Sequence, residues 1–213
     1  MNAVEIKGLN KSFGKRRIIR DFDLTVKEGE FIAMMGPSGC GKSTILSMIG
    51  LLEPVDSGVI LLHGKKNPKI NSTQATKLRR GTINYLFQSY ALINDATVIE
   101  NLLCGMFYLD IPHKEKVNRA TAVLKKVGLL DLKNAPVNPL SGGEMQRVAI
   151  ARCILKPGDI VLADEPTGAL DVKTAESVFR LLTALRSEYG KTIIMVTHNP
   201  DLASRADRIV ALG

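Results

Sequence analysis

The sequence predicts an α/β fold, in which helices cover a largely parallel sheet. Three observations carry that prediction. Two short, continuously apolar runs, "DIVLADEP" at 159–166 and "KTIIMVTH" at 191–198, suit strands buried on both faces. Helical periodicity precedes and separates them: Val117, Thr121, Leu124 and Val127 with Gly128 as a stop, then Val172, Ala175, Val178, Phe179, Leu182 and Leu185. A glycine-rich turn over 36–44, "GPSGCGKST", lies between the apolar stretch Phe31 to Met35 and the helix-like "KSTILSMIGLL".

Taken in order, the chain opens with extended segments, "AVEIKGL", "RIIRDFDLTV" and "EFIAMM", divided by glycines and charged turns. After Gly64 the pattern turns helical. The N-terminal β segments and the helical 90–135 stretch therefore read as subdomains attached to the α/β core. No internal repeat, heptad series or low-complexity segment interrupts them. At 213 residues and 45% hydrophobic content the chain can bury one full core, or one core with a small subdomain.

Composition narrows the function classes. No run approaches the length of a membrane span, and "MNAVEIKGLNKSFG" lacks the apolar stretch of a signal peptide, so a cytoplasmic chain is expected. Cys40, Cys104 and Cys153 show neither pairing nor metal-ligand spacing, which suits a reducing compartment. The formal charge of +8 is uneven: residues 1–80 hold 14 Lys/Arg against 7 Asp/Glu, and the remainder 15 against 14. Such an excess could serve nucleic acid, anionic lipid or nucleotide phosphates. Its residues are scattered, with "KRR" at 15–17 the longest run, which favours a solvated face.

Chemistry concentrates at strand ends. In 36–44 the motif G-x-x-x-x-G-K-[ST] is complete: Gly36, Gly39 and Gly41, with Pro37, Ser38 and Cys40 between them, let backbone N–H groups converge on a phosphate. Lys42 would reach the β and γ phosphates, and Ser43, followed by Thr44, would offer a hydroxyl to Mg²⁺, a hard cation that prefers oxygen. "DIVLAD" ends in Asp164, Glu165 and Pro166, so two carboxylates emerge where a buried strand stops. Asp164 is then placed for the Mg²⁺ shell, and Glu165 for orienting or deprotonating a water that attacks the γ-phosphate. His198 ends the strand "KTIIMVTH", where a neutral imidazole can hydrogen-bond a γ-phosphate oxygen or that water. Gln88 follows the strand-like stretch in "YLFQSY".

One further stretch, "PLSGGEMQ" at 139–146, opens a helix with a capping box of Ser141 and Glu144. Gly142 and Gly143 inside the box each cost a helix about 1 kcal/mol relative to alanine. Glycines there clear the exposed N–H groups for an approaching anion, so a second phosphate loop is expected.

In this order the pieces resemble an ATP-binding-cassette (ABC) ATPase: phosphate loop 36–44, glutamine loop at Gln88, signature "LSGGE" at 140–144, "IVLADE" at 160–165, "GALD" at 168–171 and the histidine switch at His198. The resemblance covers essentially the whole chain. It implies a phosphate-loop NTPase core of ABC ATPase type with an N-terminal antiparallel β subdomain and an inserted α-helical subdomain. Residues 1–213 would form a single ABC ATPase domain, with roughly 1–87 and 156–213 as the ATP-binding core and β subdomain and roughly 88–155 as the helical subdomain. It further implies catalytic roles for Glu165, His198, Gln88 and Lys42, and Mg²⁺ held by Ser43, Gln88 and Asp164 with ATP as substrate. The adenine-stacking aromatic, commonly tyrosine in the family, corresponds to Phe13, which can still stack. In this family the signature of one subunit closes over the ATP of another, head to tail. Ser141, Gly142, Gly143 and Glu144 would thus serve a neighbour's nucleotide.

"DEPTGALD" with "GLLEPVDSG" is most similar to the group that works in lipoprotein release, macrolide efflux, and bacitracin or bacteriocin export. With no span in this chain, the membrane part is expected to be a separate permease, with the cassette peripheral on the inner face of the cell membrane. "SYALINDATVIENLLCGMFYLDIP" would either offer the permease a groove or form the helical subdomain's own core. The chain ends at Gly213 directly after a strand-like segment, so no C-terminal regulatory domain is expected.

Other functions fit less well. Repair and chromosome ATPases with this signature insert long coiled coils, whereas about 120 heptad-free residues separate the two carboxylate-bearing and phosphate motifs here. Translation factors usually carry two cassettes, so no nucleic-acid partner is expected. A GTPase would need an N-K-x-D guanine motif, and none is present. A mechanical signalling ATPase, pulling on a membrane protein without moving substrate, remains the alternative to export.

Overall fold

A computed structural model describes residues 1–213. The chain opens with β1 (Asn2–Phe13) and β2 (Arg16–Lys27), which alternate buried and exposed side chains, as strands do when one face of a sheet meets a core. Next come β3 (Phe31–Met35), buried along nearly its whole length, and α1 (Lys42–Ile49). β4 (Ser57–Leu62) and the two-residue β5 (Lys65–Lys66) follow, then α2 (Thr73–Gly81) and β6 (Ile83–Leu86). Three helices come together, α3 (Val98–Gly105), α4 (His113–Lys126) and α5 (Gly142–Leu155). The chain closes with β7 (Ile160–Asp164), α6 (Val172–Ser187), β8 (Thr192–Val196), the short α7 (Pro200–Ala203) and β9 (Arg208–Ala211).

Two sheets result. One is antiparallel, in the order β2-β1-β4-β5, and the other parallel, in the order β6-β7-β8-β3-β9. The parallel strands read as continuous apolar runs because both of their faces are covered. Ile32, Met34, Ile160, Leu162 and Ile194 pack on one side with α1 and the antiparallel sheet. Phe31, Ala33, Val161, Ala163, Ile193 and Met195 pack on the other with α5 and α6. A third cluster joins α3, α4 and α5 through Val98, Leu102, Met106, Leu124 and Val148. No helix is long and apolar enough to cross a membrane.

Beside the very short β5 and α7, two longer elements go beyond the sequence reading. β4 returns to the antiparallel sheet after α1, pairing Ile6 with Ile60. α2 carries only one buried residue, Ala75, so its 3.6-residue period is nearly silent in the sequence. The stretch after Gln88 divides in a similar way. Val98, Leu102 and Met106 belong to the helical core, whereas Ile93, Phe107 and Tyr108 stay at least half exposed (51%, 70% and 63%).

Candidate functional site

Ligands of parallel sheets bind beyond the carboxyl ends of the strands. Here four adjacent strands, β6, β7, β8 and β3, end at one edge, and each delivers a residue singled out above. Gln88 follows β6, Asp164 and Glu165 end β7, His198 follows β8, and the loop over 36–44 follows β3. All but Asp164, which lies behind Ser43, line an open cleft of about 580 Å³ bounded by Ser38, Gly39, Lys42, Ser43, Gln88, Glu165 and His198, with Phe13 also on its wall.

The loop has the form that anion binding needs. Gly39 (φ +77°) and Gly41 (φ +103°) adopt left-handed backbone, and a Cβ on Gly41 would stand 2.8 Å from Ile18. Lys42 opens α1 and is nearly buried. Its ammonium donates to the Gly36 and Pro37 carbonyls, both at 2.8 Å, and weakly to Cys40 Sγ, a soft acceptor that a phosphate oxygen would displace. Cys40 is half-buried, its Sγ 3.8 Å from the Lys42 ammonium. Its side chain lines a different, largely apolar cavity of about 490 Å³ with Ile18, Ile19, Phe22 and Leu212.

Across the cleft, Ser43 donates its hydroxyl to Asp164 Oδ1 at 2.9 Å, so residues from two strand ends already meet. Burial pushes the Asp164 carboxyl above its ordinary range, against the Ser43 hydrogen bond and the Lys42 charge. Burial likewise raises the Glu165 carboxyl, opposed mainly by His198. Glu165 holds a left-handed backbone (φ 46°), a conformation that costs a non-glycine residue on the order of 1–3 kcal/mol, while its N–H donates to the Val196 carbonyl at 3.0 Å. His198 Nε2 stands 3.2 Å from Glu165 Oε1 yet out of line for a hydrogen bond, so that oxygen is a buried acceptor without a donor. Such an oxygen is suited to a water. Phe13 is 50% exposed, free to stack on a flat ligand, with the Lys11 ammonium 5.1 Å from its ring centre.

The signature is assembled but lies elsewhere. Ser141 accepts from the Glu144 N–H at 3.3 Å, and Glu144 Oε2 accepts from the Ser141 N–H at 2.8 Å and its hydroxyl at 2.6 Å. These bonds with Ser141 hold the Glu144 carboxyl below the usual range. None of Ser141, Gly142, Gly143 or Glu144 lines the cleft. The two glycines also have a reason inside the chain that the motif did not reveal. A Cβ on Gly143 would lie 2.3 Å from Thr174 Cγ2 of α6, and one on Gly142 would lie 2.8 Å from the Tyr90 hydroxyl and 3.3 Å from Leu170. Tyr90, Leu170 and Thr174 belong to distant segments, and no local pattern ties them to "SGG".

Comparison with known proteins agrees with this geometry. The family model described as ABC transporter matches residues 19–168. Macrolide export ATP-binding/permease protein MacB of Aggregatibacter actinomycetemcomitans is 40% identical over 216 residues, covering 100% of this chain and 33% of that protein. The chain thus spans a third of that relative's length. Lipoprotein-releasing system ATP-binding protein LolD 1 of Rhodopseudomonas palustris is also 40% identical, over 98% of this chain and 95% of its own. Among solved structures, the dimeric bacterial ABC transporter cassette MJ0796 superposes with a TM-score of 0.89 at 39% identity, covering 98% of this chain and 94% of that one. The same cassette bound to ADP and Pi superposes at 0.88.

Proposed function

The chain belongs to the ABC transporter family, and we propose that it is the ATP-hydrolysing cassette of an exporter whose membrane-spanning part is a separate permease. The observation that carries this reading is the shared edge of β6, β7, β8 and β3, where a phosphate loop, two carboxylates, a glutamine and a histidine meet. The signature helix start, Ser141 to Glu144, has Ser141 exposed, Gly142 and Glu144 partly so and Gly143 buried, and stands outside that cleft. A complete ATP site then needs the signature of a second copy, head to tail.

In this reading the backbone N–H groups of 36–44 and the Lys42 ammonium hold the β and γ phosphates. Ser43, Gln88 and Asp164 offer hydroxyl, amide and carboxylate oxygens, a donor set that fits Mg²⁺, and Ser43 already meets Asp164. When bound there, the ion would neutralise charge on the phosphate oxygens. Glu165 orients a water and takes its proton as the water oxygen bonds to the γ-phosphorus and the β–γ bridging bond breaks, leaving ADP and phosphate. Burial raises its basicity, which suits the role. His198 holds the water or a γ-phosphate oxygen. The Ser141 hydroxyl, which donates to Glu144 in this structure, turns its hydrogen to the neighbour's γ-phosphate on closure.

The helical segment, roughly 88–155, is the lever between nucleotide and permease. Phe107 and Tyr108 are exposed beside the Arg80 guanidinium, which sits 3.7 Å over the Tyr108 ring. They supply an apolar, cationic-edged surface for the permease, with the chain peripheral on the inner membrane face. The names of the relatives, macrolide export and lipoprotein release, favour export of a lipoprotein or an antimicrobial, and a peptide is the third candidate of this reading. Reconstituting the chain with its permease in vesicles tests this: ATP-dependent movement of such a substrate is expected. ATP hydrolysis that the permease stimulates with no substrate crossing would support mechanical signalling instead.

A further inference from the structure

The β1–β2 turn carries a cation that no motif includes. Phe13 and Arg16 are register partners across this hairpin. Directly opposed residues of an antiparallel pair project from the same face, and both of these line the cleft. The Arg16 guanidinium lies against the phosphate loop, its Nη2 3.5 Å from where a Cβ on Gly39 would sit. It is exposed and forms no hydrogen bond or ion pair with the protein. Two nearby cations are engaged, Arg17 donating to Asn10 and Lys11 pairing with Glu53 at 2.7 Å and Asp56 at 3.3 Å, and Lys15, free at the turn, does not line the cleft. Five donors on a fixed fork, beside convergent backbone N–H groups and without a protein acceptor, suit an anionic oxygen.

We propose that Arg16 is a nucleotide-binding residue that donates to the α-phosphate of ATP. The proposal rests on the reading of this cleft as the ATP site. The position selects the α-phosphate. Lys42, Glu165 and His198 mark the γ end, whereas Arg16 shares a hairpin face with Phe13, the ring placed for the base. The phosphate nearest the base is the α. The hairpin would thus hold one ligand through two different contacts, a ring on the base and a guanidinium on the phosphate. Because substrate and product both keep that phosphate, the contact lowers KM and leaves kcat nearly unchanged.

The test uses Arg16→Gln, which keeps reach and polarity at an exposed site and removes the charge. Dissociation constants for ATP, ADP, AMP and adenosine are measured on the full chain by competition against a fluorescent ATP analogue. ATP, ADP and AMP should each bind about tenfold more weakly, as expected for one charge-assisted hydrogen bond. Adenosine should be unaffected, KM should rise with kcat within about twofold, and Arg16→Lys should recover much of the loss. A matching loss for adenosine would place the guanidinium on the base and overturn the proposal. A loss confined to ATP would place it on the γ-phosphate, and no loss at all would make it an ordinary surface arginine. Both results overturn it too. If the wild-type chain bound no ATP, the reading of the cleft itself would fail, a result distinct from each of these.

Discussion

Replacing Gly143 with alanine should destabilise the chain, although alanine is the better helix former. The gain in helix propensity is at most about 1 kcal/mol. Against it stands a Cβ placed 2.3 Å from Thr174 Cγ2, where ordinary contact would need more than 1 Å of further separation. Thr174 cannot easily turn away, because its β-branched side chain is stiff in a helix and its N–H is bound to Asp171 Oδ1 at 3.1 Å in the first turn of α6. Overpacking of this kind costs about 1–3 kcal/mol, so even after the full propensity gain the net loss should reach up to about 2 kcal/mol. Thr174→Ser removes the obstructing methyl and keeps the hydroxyl. In a double-mutant cycle followed by urea unfolding, Gly143→Ala and Thr174→Ser should therefore couple favourably by at least about 1 kcal/mol. If Gly143→Ala instead stabilises the chain, or the two changes simply add, packing does not require this glycine and only an approaching phosphate can explain it.

Burial raises the Glu165 carboxyl above its unfolded value, so its stabilising contribution is complete below the unfolded pKa and is lost as pH rises through the folded one. Glu165→Gln should accordingly be more stable than wild type near neutral pH, by about 1 kcal/mol, with the gap closing on acidification toward pH ~4. Melting curves across that range check it, and a gap that widens in acid would contradict the assigned shift. Phe13→Ala should raise the nucleotide KM about fivefold, since stacking is worth on the order of 1 kcal/mol, with ATP and GTP affected alike because a ring face reads no hydrogen-bonding edge. Steady-state kinetics with both nucleotides decides, and an unchanged KM would assign the base to another aromatic.

The parallel sheet was legible because its strands are buried on both faces and therefore appear as unbroken apolar runs, "IVLAD" and "TIIMV". The chemistry at their ends was legible for the same reason: once β7 and β8 are recognised, Glu165 and His198 must emerge at the edge where ligands bind. β4 was missed because "SGVILL" is short and pairs with β1 across about 50 residues, a partnership that periodicity cannot register. α2 was missed because a helix that buries only Ala75 has almost no apolar stripe. At the site, the left-handed backbone of Glu165 left no trace in the residue type. The contacts of Gly142 and Gly143 with Tyr90, Leu170 and Thr174 are likewise tertiary. A motif shows that glycine is wanted, but not which neighbour wants it.

Whether each ATP site is built from two copies can be measured directly in a Glu165→Gln background, where hydrolysis should be blocked and ATP should trap a dimer visible by size-exclusion chromatography. Lys42→Ala alone breaks both sites, and so does Ser141→Arg alone. A mixture of the two places the intact phosphate loop of the Ser141 variant against the intact signature of the Lys42 variant, restoring one complete site. Occluded nucleotide, counted after cross-linking so that weak dimerisation is not mistaken for wrong geometry, should reappear at up to one ATP per heterodimer. If each site were closed within one chain, the serine variant's loop would still face its own damaged signature, and the mixture would occlude nothing.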